Sequence, residues 1–449
     1  MDFARAAAAL KCAGGEIAGA FSSVCIDSRK VSRGALFVAL TGDKTDGHRF
    51  VEQAFQRGAA GVLVERDKAA AYRLAEIAAA RGVPLLSVEN TLSGLQTLAA
   101  VYSDNFPNLL RIGLTGSSGK TTTKEIAIAM CAAEKRVIGN EGNLNSETGL
   151  PLSLFTIREE HEIGIFEMGM NKRGEISSLA HILRPKIALI TNIGSAHIGC
   201  LGSVQEIALE KKAIFSEFTG CETALIGKDS DFAALLAKDV RGKVVFWGES
   251  CAARLPAQSR GLHGWEIDWK GVKVNFPLPG IHNLRNAFAA AAIAAEAGVT
   301  DDAIRAGFTA ARALFGRGEI LEGDVTVVRD CYNANPESAA AAIDMCDGVS
   351  WQGRRIYVLG SMLELGDESE RRHGELAEKL ARSRADYVFL YGAEMAGAFS
   401  ALQAAHSGKN LYYTNDIDEL RELLQRTAVK GTLVLLKGSR GCALERAWD

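Results

Sequence analysis

The chain has 449 residues, 47% hydrophobic and 23% charged, with a formal net charge of −3. This is an ordinary globular composition, long enough for two to four domains and without the basic excess of a nucleic-acid-binding surface. Its nine cysteines are scattered, odd in number and free of any Cys-x-x-Cys pair, which argues for a reducing cytoplasm and against a disulfide frame or a zinc site.

The opening stretch MDFARAAAALKCAGGE has too short and too weak an apolar run for a signal peptide. A first block, residues 1–105, follows. In it GALFVAL and AAGVLVE read as strands, and HRFVEQAFQRG between them reads as a helix. Turn formers cluster in SDNFPN, residues 103–108, which reads as a linker.

The second block, residues 106–317, opens on LLRIGLTG, an apolar run expected to be a buried strand, and KTTTKEIAIAMCAAEK, which has helical periodicity. Between them lie Gly116, Ser117, Ser118 and Gly119, followed by Lys120, Thr121 and Thr122. This is the phosphate-loop pattern G-x-x-x-x-G-K-[ST], except that Leu114 stands where the first glycine is usual. A glycine turn between strand and helix aims free N–H groups at one point, and the helix dipole adds positive potential there. Lys120 can reach terminal phosphates and the Thr121 hydroxyl can ligate magnesium. An ordinary tight turn with a solvated lysine is the alternative, but it leaves the ordered run of strand, glycines, Lys-Thr and helix unexplained.

Further strands are expected at EIGIFEMG, IALITNIG, ETALIG and KVVFWG, the earlier ones separated by helices, which implies a mostly parallel sheet covered on both faces. Glu167 ends one of these strands, at the edge where open α/β sheets bind ligands. A carboxylate there suits magnesium, although a helix cap or a surface glutamate is the other reading. TNIGSAHIG presents His197 at the same edge, as a ligand or as a structural histidine. EIALEKKAIFSEF carries Lys211 and Lys212, for which a solvated charged face is the plain reading. WEIDWKGVKVNFPLPG alternates as a small antiparallel excursion. The helix HNLRNAFAAAAIAAEAG then places Asn283 and Asn286 one turn apart, where amides could read a purine edge or serve as caps. Its alanine run, 287–295, is too short to span a bilayer and reads as a tightly packed helix.

The third block, residues 318–449, repeats the alternation. Strands are expected at DVTVVRD, RRIYVLG, DYVFLYG, NLYYT and GTLVLLKG, with helices at ESERRHGELAEKLARS and DIDELRELLQRT. This is a second doubly wound, Rossmann-like α/β unit without a phosphate loop of its own. In RDCYNANPESAAAAI, Asp330, Asn333 and Asn335 could meet a ribose or phosphate, or form a plain turn before Pro336.

Taken together, these stretches resemble the Mur ligases, ATP-dependent amide-forming enzymes of peptidoglycan precursor synthesis, over essentially the whole chain. TGSSGKTTTKE is similar to the family's phosphate loop, which also lacks the early glycine, and HNLRNAFAAAA to its adenine-side helix. Four stretches resemble the MurF type, which adds D-alanyl-D-alanine to UDP-N-acetylmuramoyl-tripeptide. They are DSRKVSRGALFVALTGDKTDGHRFVEQAFQRGAAGVLVE, NEGNLNSETGLPLSLF, DCYNANPESAAAAI and VLGSMLELGDESERRH. In the second of these, Ser146 and Thr148 depart from the more usual Asn-Asn-Glu-Ile-Gly wording.

The resemblance implies an α/β fold of three domains. A small N-terminal nucleotide-sugar domain (1–105) would precede a central phosphate-loop domain with a mostly parallel sheet (106–317) and a C-terminal Rossmann-like domain (318–449). It implies ATP and two magnesium ions as cofactors. Lys120 and the loop amides would hold ATP phosphates, Thr121 and Glu167 one ion, and His197 with a carbamylated Lys211 the second. Asn283 and Asn286 would face adenine. Arg317, Asp330, Asn333 and Asn335 would close on ATP from the C-terminal side. Ser28, Arg29, Asp46, Gly47 and His48 would surround the UDP moiety, with Asn145 and Ser146 in the substrate loop. The implied protein is a cytoplasmic monomer with no nucleic-acid or membrane partner. The diaminopimelate- or lysine-adding Mur enzymes and folylpolyglutamate synthase are alternatives, and the run Tyr332-Asn333-Ala334-Asn335-Pro336 argues against them. A phosphate-loop switch protein would need no second α/β domain and no nucleotide-sugar domain, and no guanine-reading Asn-Lys-x-Asp is visible. The intact Lys120–Thr121 pair argues against a non-catalytic scaffold.

Overall fold

A computed structural model describes residues 1–12, 18–42, 45–248 and 256–448. The protein is α/β and built mainly on parallel sheets, as the alternation in the sequence implies. The chain divides into two compact units. One comprises Met1–Arg111, Arg136–Gly169 and Ser177–Pro185; the other comprises Ile112–Lys135, Met170–Ile176 and Lys186–Asp449.

The first unit contains a four-stranded parallel sheet whose strands lie in chain order: Ser23–Cys25, Ala35–Val38, Gly61–Glu65 and Leu85–Val88. The second strand is buried along its whole length, the pattern of a strand covered on both faces. Phe37, Val62 and Val64 of the sheet pack with Val51, Phe55 and Leu74 of the helices. The expected helix after residue 47 starts as a 3-10 turn, Gly47–Phe50, because Asp46 caps the His48 N–H, and becomes α-helical over Val51–Gln56. The helix Thr91–Ser103 runs into the stretch expected to be a linker, and Asp104 caps its end. This unit also holds the parallel pair Val137–Gly139 and Ile163–Glu167.

In the second unit the strand Leu110–Thr115 pairs through Ile112–Thr115 with Ile187–Ile190. That strand pairs with Thr223–Gly227, and Thr223–Gly227 with Lys243–Trp247, all parallel. The antiparallel excursion is present with one strand more than expected: Ala257–Ser259, Trp265–Trp269 and Val272–Phe276. The alanine-rich helix Ile281–Glu296 buries Ala287, Ala289, Ala290, Ala291 and Ala294. Those small side chains let it lie close along the phosphate-loop helix Lys120–Cys131. No helix among the described residues is long and apolar enough to cross a membrane.

The remaining sheet runs in the order Glu319–Leu321, Thr326–Asp330, Leu433–Lys437, Arg355–Gly360, Tyr387–Tyr391, Asn410–Thr414. Only its first pair is antiparallel. The last strand in sequence, Leu433–Lys437, inserts between the first two parallel ones, Thr326–Asp330 and Arg355–Gly360. The strand order therefore reverses there, and the carboxyl ends of such neighbouring strands border a ligand crevice in open α/β sheets.

One buried carboxylate makes part of this framework pH-sensitive. Glu222 accepts from the backbone N–H groups of Thr219, Gly220 and Cys221 and from Lys186 Nζ at 2.8 Å. The Lys186 hydrogen bond, helped by the backbone donors against the cost of burial, lowers its pKa from 4.5 to about 2. The lysine side chain is 58% exposed, so solvent screens much of the pair. Glu222→Gln is expected to cost about 1–2 kcal/mol at neutral pH. Because the folded pKa is depressed, that contribution is complete above the unfolded pKa of 4.5 and disappears as pH falls through about 2. Urea unfolding of both proteins between about pH 7 and about pH 3 checks it, since the gap should narrow only in the acid range; a constant gap would refute the assignment.

Candidate active site

The phosphate loop is short. The strand ends at Thr115 and the helix begins at Lys120, so only Gly116–Gly119 form the turn. Leu114, at the usual first-glycine position, is fully buried inside the strand, where an apolar side chain fills the core. The two glycines that remain are the ones geometry requires. A Cβ on Gly116 would lie 1.8 Å from Thr191 Oγ1, and one on Gly119, whose φ is +75°, would lie 2.2 Å from Asn286 Oδ1. Lys120 Nζ donates to Gly116 O at 2.8 Å, which curls the ammonium over the loop. Thr121 is buried at the first helical turn and Thr122 is half-buried beside it.

The loop is held from one side by the end of the neighbouring strand, a support not anticipated from the sequence. Asn192 accepts from Ser118 N at 3.0 Å and donates to Ser118 O at 2.9 Å. Thr191 Oγ1 also donates to Ser118 O, at 2.7 Å. Ser117 Oγ donates to Gly194 O at 3.1 Å and accepts from Gly194 N at 2.9 Å. From the other side, Asn286 lies against Gly119 and accepts from Thr123 Oγ1 at 3.4 Å. Asn283 donates to Pro279 O at 2.8 Å. Both asparagines are buried, and the structure brings Asn286 to the loop itself.

His197 follows the same supporting loop, in a left-handed conformation with φ +66°. Its Nδ1 lies 3.0 Å from Glu364 of the turn after strand Arg355–Gly360. The hydrogen bond to His197 holds the Glu364 carboxyl below its ordinary pKa, against partial burial. The arrangement leaves Nε2 as the ring nitrogen facing away from the carboxylate, the orientation a carboxylate gives a metal-binding histidine. Lys211 and Lys212, adjacent on the helix Val204–Lys212, separate cleanly: Lys211 is 1% exposed, whereas Lys212 Nζ donates to Lys238 O at the surface.

At the strand-order reversal of the last sheet, Asp330 and Lys437 end adjacent strands and pair at 2.9 Å. Lys437 is buried and also donates to Asn333 O at 2.7 Å, so it anchors the polar loop. The Arg317 guanidinium stacks 3.9 Å above the Tyr332 ring, which brings Arg317 to the same loop. The Asn335 side-chain oxygen caps the helix Pro336–Gly348 in a capping box with Ser338.

In the first unit, Glu167 is the buried last residue of its strand, as expected. Asn140 grips its backbone at both N–H and C=O, each at 2.9 Å, and Asn145 Nδ2 donates to its carboxylate at 2.6 Å. Ser146 Oγ accepts from Gly149 N and so opens the next short helix. Among the residues expected around UDP, Ser28 Oγ donates to Gln53 at 2.6 Å and the exposed Arg29 pairs with Asp27. A Cβ on Gly47 would meet Leu40 O at 2.7 Å. Burial opposes ionisation of Asp46, but hydrogen bonds from His48 and Lys68 outweigh it and hold the carboxyl far below its ordinary value. The buried His48 accepts from Glu65 N at Nε2, so Nδ1 carries the proton toward Asp46 at 2.7 Å. Both ring nitrogens of His48 are therefore engaged within the protein.

Fold and loop geometry together define an α/β nucleotide-binding protein of the phosphate-loop class. Three family models match the chain: Mur ligase family catalytic domain at 20–103, Mur ligase middle domain at 114–294, and Mur ligase glutamate ligase domain at 316–440. A UDP-N-acetylmuramoyl-tripeptide–D-alanyl-D-alanine ligase of Treponema pallidum is 41% identical over 95% of this chain and 93% of its own. The crystal structure of MurF from Acinetobacter baumannii has a TM-score of 0.85 and 28% identity, covering 99% of this chain and 97% of its own. A MurF ligase of Thermotoga maritima in complex with ADP has a TM-score of 0.79 and 28% identity, covering 95% of this chain and 96% of its own. The chain belongs to the Mur ligase family, and within it to the MurF type.

Proposed function

We propose that this chain joins D-alanyl-D-alanine to UDP-N-acetylmuramoyl-tripeptide, using ATP and releasing ADP and phosphate. The observation that carries the reading is an intact, braced Gly116–Thr121 loop in a chain 41% identical along nearly its whole length to a ligase of that name. A carboxylate is a poor electrophile. The terminal carboxylate of the tripeptide would attack the γ-phosphorus of ATP, ADP would leave, and an acyl phosphate would form. The free amine of D-alanyl-D-alanine would then attack that carbonyl, expelling phosphate and leaving an amide.

Little of this needs covalent chemistry from the protein; positioning and charge compensation do most of the work. Lys120 and the loop N–H groups would take the β- and γ-phosphates. Asn283 and Asn286 would serve the adenine side, and Arg317, Asp330, Asn333 and Asn335 the nucleotide from the C-terminal sheet. Ser28, Arg29, Asp46, Gly47 and His48 would bind UDP, His48 through its backbone and by fixing Asp46. Asn145 and Ser146 would shape the substrate loop. Among the described residues no cluster of three or more His, Cys, Asp or Glu side chains forms a ready metal cage. Magnesium is usually held by one or two carboxylates with phosphate oxygens and water. Thr121 and Glu167 would hold one ion, and His197 with a carbamylated Lys211 a second; when bound, the ions would neutralise charge on the transferring phosphoryl group. The reading places the enzyme in the cytoplasm as a monomer, with domain boundaries near 105 and 317.

The test is phosphate release with ATP, UDP-muramoyl-tripeptides carrying either diaminopimelate or lysine, and a panel of dipeptides. Release is expected only with a tripeptide and D-alanyl-D-alanine together, in step with pentapeptide formation. Hydrolysis independent of both substrates would overturn the reading in favour of a nucleotide switch.

A further inference from the structure

The loop that braces the phosphate loop is itself gripped from the other side. Asn335 and Ser338 cap the helix Pro336–Gly348, which fixes Glu337 in its first turn. From there the Glu337 carboxylate accepts two hydrogen bonds from one residue: Ser195 N to Oε1 at 2.9 Å and Ser195 Oγ to Oε2 at 3.1 Å. Ser195 is fully buried. The preceding residue, Gly194, leaves room for the carboxylate, since a Cβ there would lie 3.0 Å from Glu337 Cδ. Gly194 is also the residue that exchanges hydrogen bonds with Ser117 of the phosphate loop. An unbroken path thus runs from Glu337 through Ser195 and Gly194 to Ser117.

We infer that Glu337 is a positioning residue: its carboxylate locks the loop Thr191–His197 to the helix that follows the Tyr332–Pro336 segment, and so sets the phosphate loop and that segment in register. Both carboxylate oxygens accept from Ser195, so the role inferred is to hold the loop rather than to act on the reacting atoms. Its effect is on geometry. A phosphoryl group bridged between the loop amides and residues 330–335 is transferred only when both sides are correctly spaced, and small misplacements are costly in rate. Without the lock, each side can still bind its own part of the ligand, but the two drift independently. Glu337 should therefore influence kcat far more than the affinity for the nucleotide sugar. This consequence for rate rests on the ligase reading above; the lock itself does not.

Hydrogen exchange on the substrate-free chain tests the lock independently of activity. In Glu337→Ala the Ser195 amide is expected to exchange about tenfold faster or more, as a buried N–H loses its acceptor. Glu337→Gln retains an oxygen for that N–H and should stay within about threefold of the parent. Should the alanine variant fail to fold, Glu337→Asp, one methylene too short to reach, is read in its place. In the phosphate-release assay Glu337→Ala should lower kcat by about tenfold or more while the KM for the UDP-tripeptide stays within about twofold. Parent-like exchange in the alanine variant, or exchange in the glutamine variant as fast as in alanine, overturns the lock. Fast exchange with an unchanged kcat overturns its role in the reaction. A parent chain without ligase activity would instead count against the ligase reading and leave the exchange result to decide the lock.

Discussion

Lys120→Ala is expected to lower ligation by about a thousandfold or more while leaving UDP-tripeptide binding almost unchanged. The lysine is the cation at the mouth of the loop, and its 2.8 Å bond to Gly116 O places the ammonium over the turn rather than out in solvent. Phosphoryl transfer spreads negative charge over the equatorial oxygens, so a fixed positive charge there acts more strongly on the transition state than on bound ATP. Removing one such preorganised donor typically costs about a hundredfold to a thousandfold in kcat. Here the loop has no early glycine to bring a further amide forward, because Leu114 lies in the strand core. The sugar nucleotide, by contrast, is proposed to bind at Ser28, Arg29, Asp46, Gly47 and His48, far along the chain from Lys120. Lys120→Met is the matched control, since it keeps the stem and removes the charge, and it should behave like alanine. Calorimetric titration with UDP-tripeptide alone, beside phosphate release with all substrates, separates the two effects. Parallel loss of binding and turnover would show that the variant had damaged the fold, or that the lysine serves the sugar nucleotide.

The parts of this architecture legible in the sequence are those carried by local periodicity. The buried strands Ala35–Val38, Ile163–Glu167 and Leu433–Lys437 are continuous apolar runs, and the phosphate loop announces itself by glycines and Lys-Thr between a strand and a helix. Strands Ser23–Cys25, Val137–Gly139 and Glu319–Leu321 escape because three residues carry no period. The supports of the site escape for a different reason. Asn192 lies 74 residues from Ser118, and Glu337 lies 142 residues from Ser195. Each is an ordinary polar residue in a turn until the fold pairs it. Asn140 and Lys437 are of the same kind, invisible until Glu167 and Asn333 are placed beside them. The converse also occurs. His48 and Asn335 read as ligand contacts, yet much of their hydrogen-bonding capacity is used to fix Asp46 and to cap a helix. Residue type at a sheet edge signals that a site is near; only the partners show which side chains face a ligand and which hold those that do.

Lys211→Ala is expected to be nearly inactive, with activity partly restored by a short carboxylic acid such as acetate, whereas Lys212→Ala should keep most of its activity. Successive helix residues point about 100° apart, so the two lysines cannot serve one metal. Burial distinguishes them here: Lys211 is enclosed, and Lys212 reaches Lys238 O at the surface. Carbamylation requires the neutral amine, which adds to carbon dioxide and releases a proton. Lys211 offers an enclosed position for the carbamate, whereas Lys212 reaches the surface. The product presents two anionic oxygens, the hard donors magnesium prefers, so a residue that reads as a base would become an acidic ligand. Acetate can supply similar oxygens in the space vacated by Lys211→Ala, but has no matching space to fill beside Lys212. A readout independent of turnover is the carbamate carbon itself. Incubation with 13C-labelled bicarbonate should give a carbamate resonance in the parent and in Lys212→Ala that is absent in Lys211→Ala. The reverse pattern would move the modification to Lys212, and full activity in both variants without a labelled signal would remove the carbamate from the reaction.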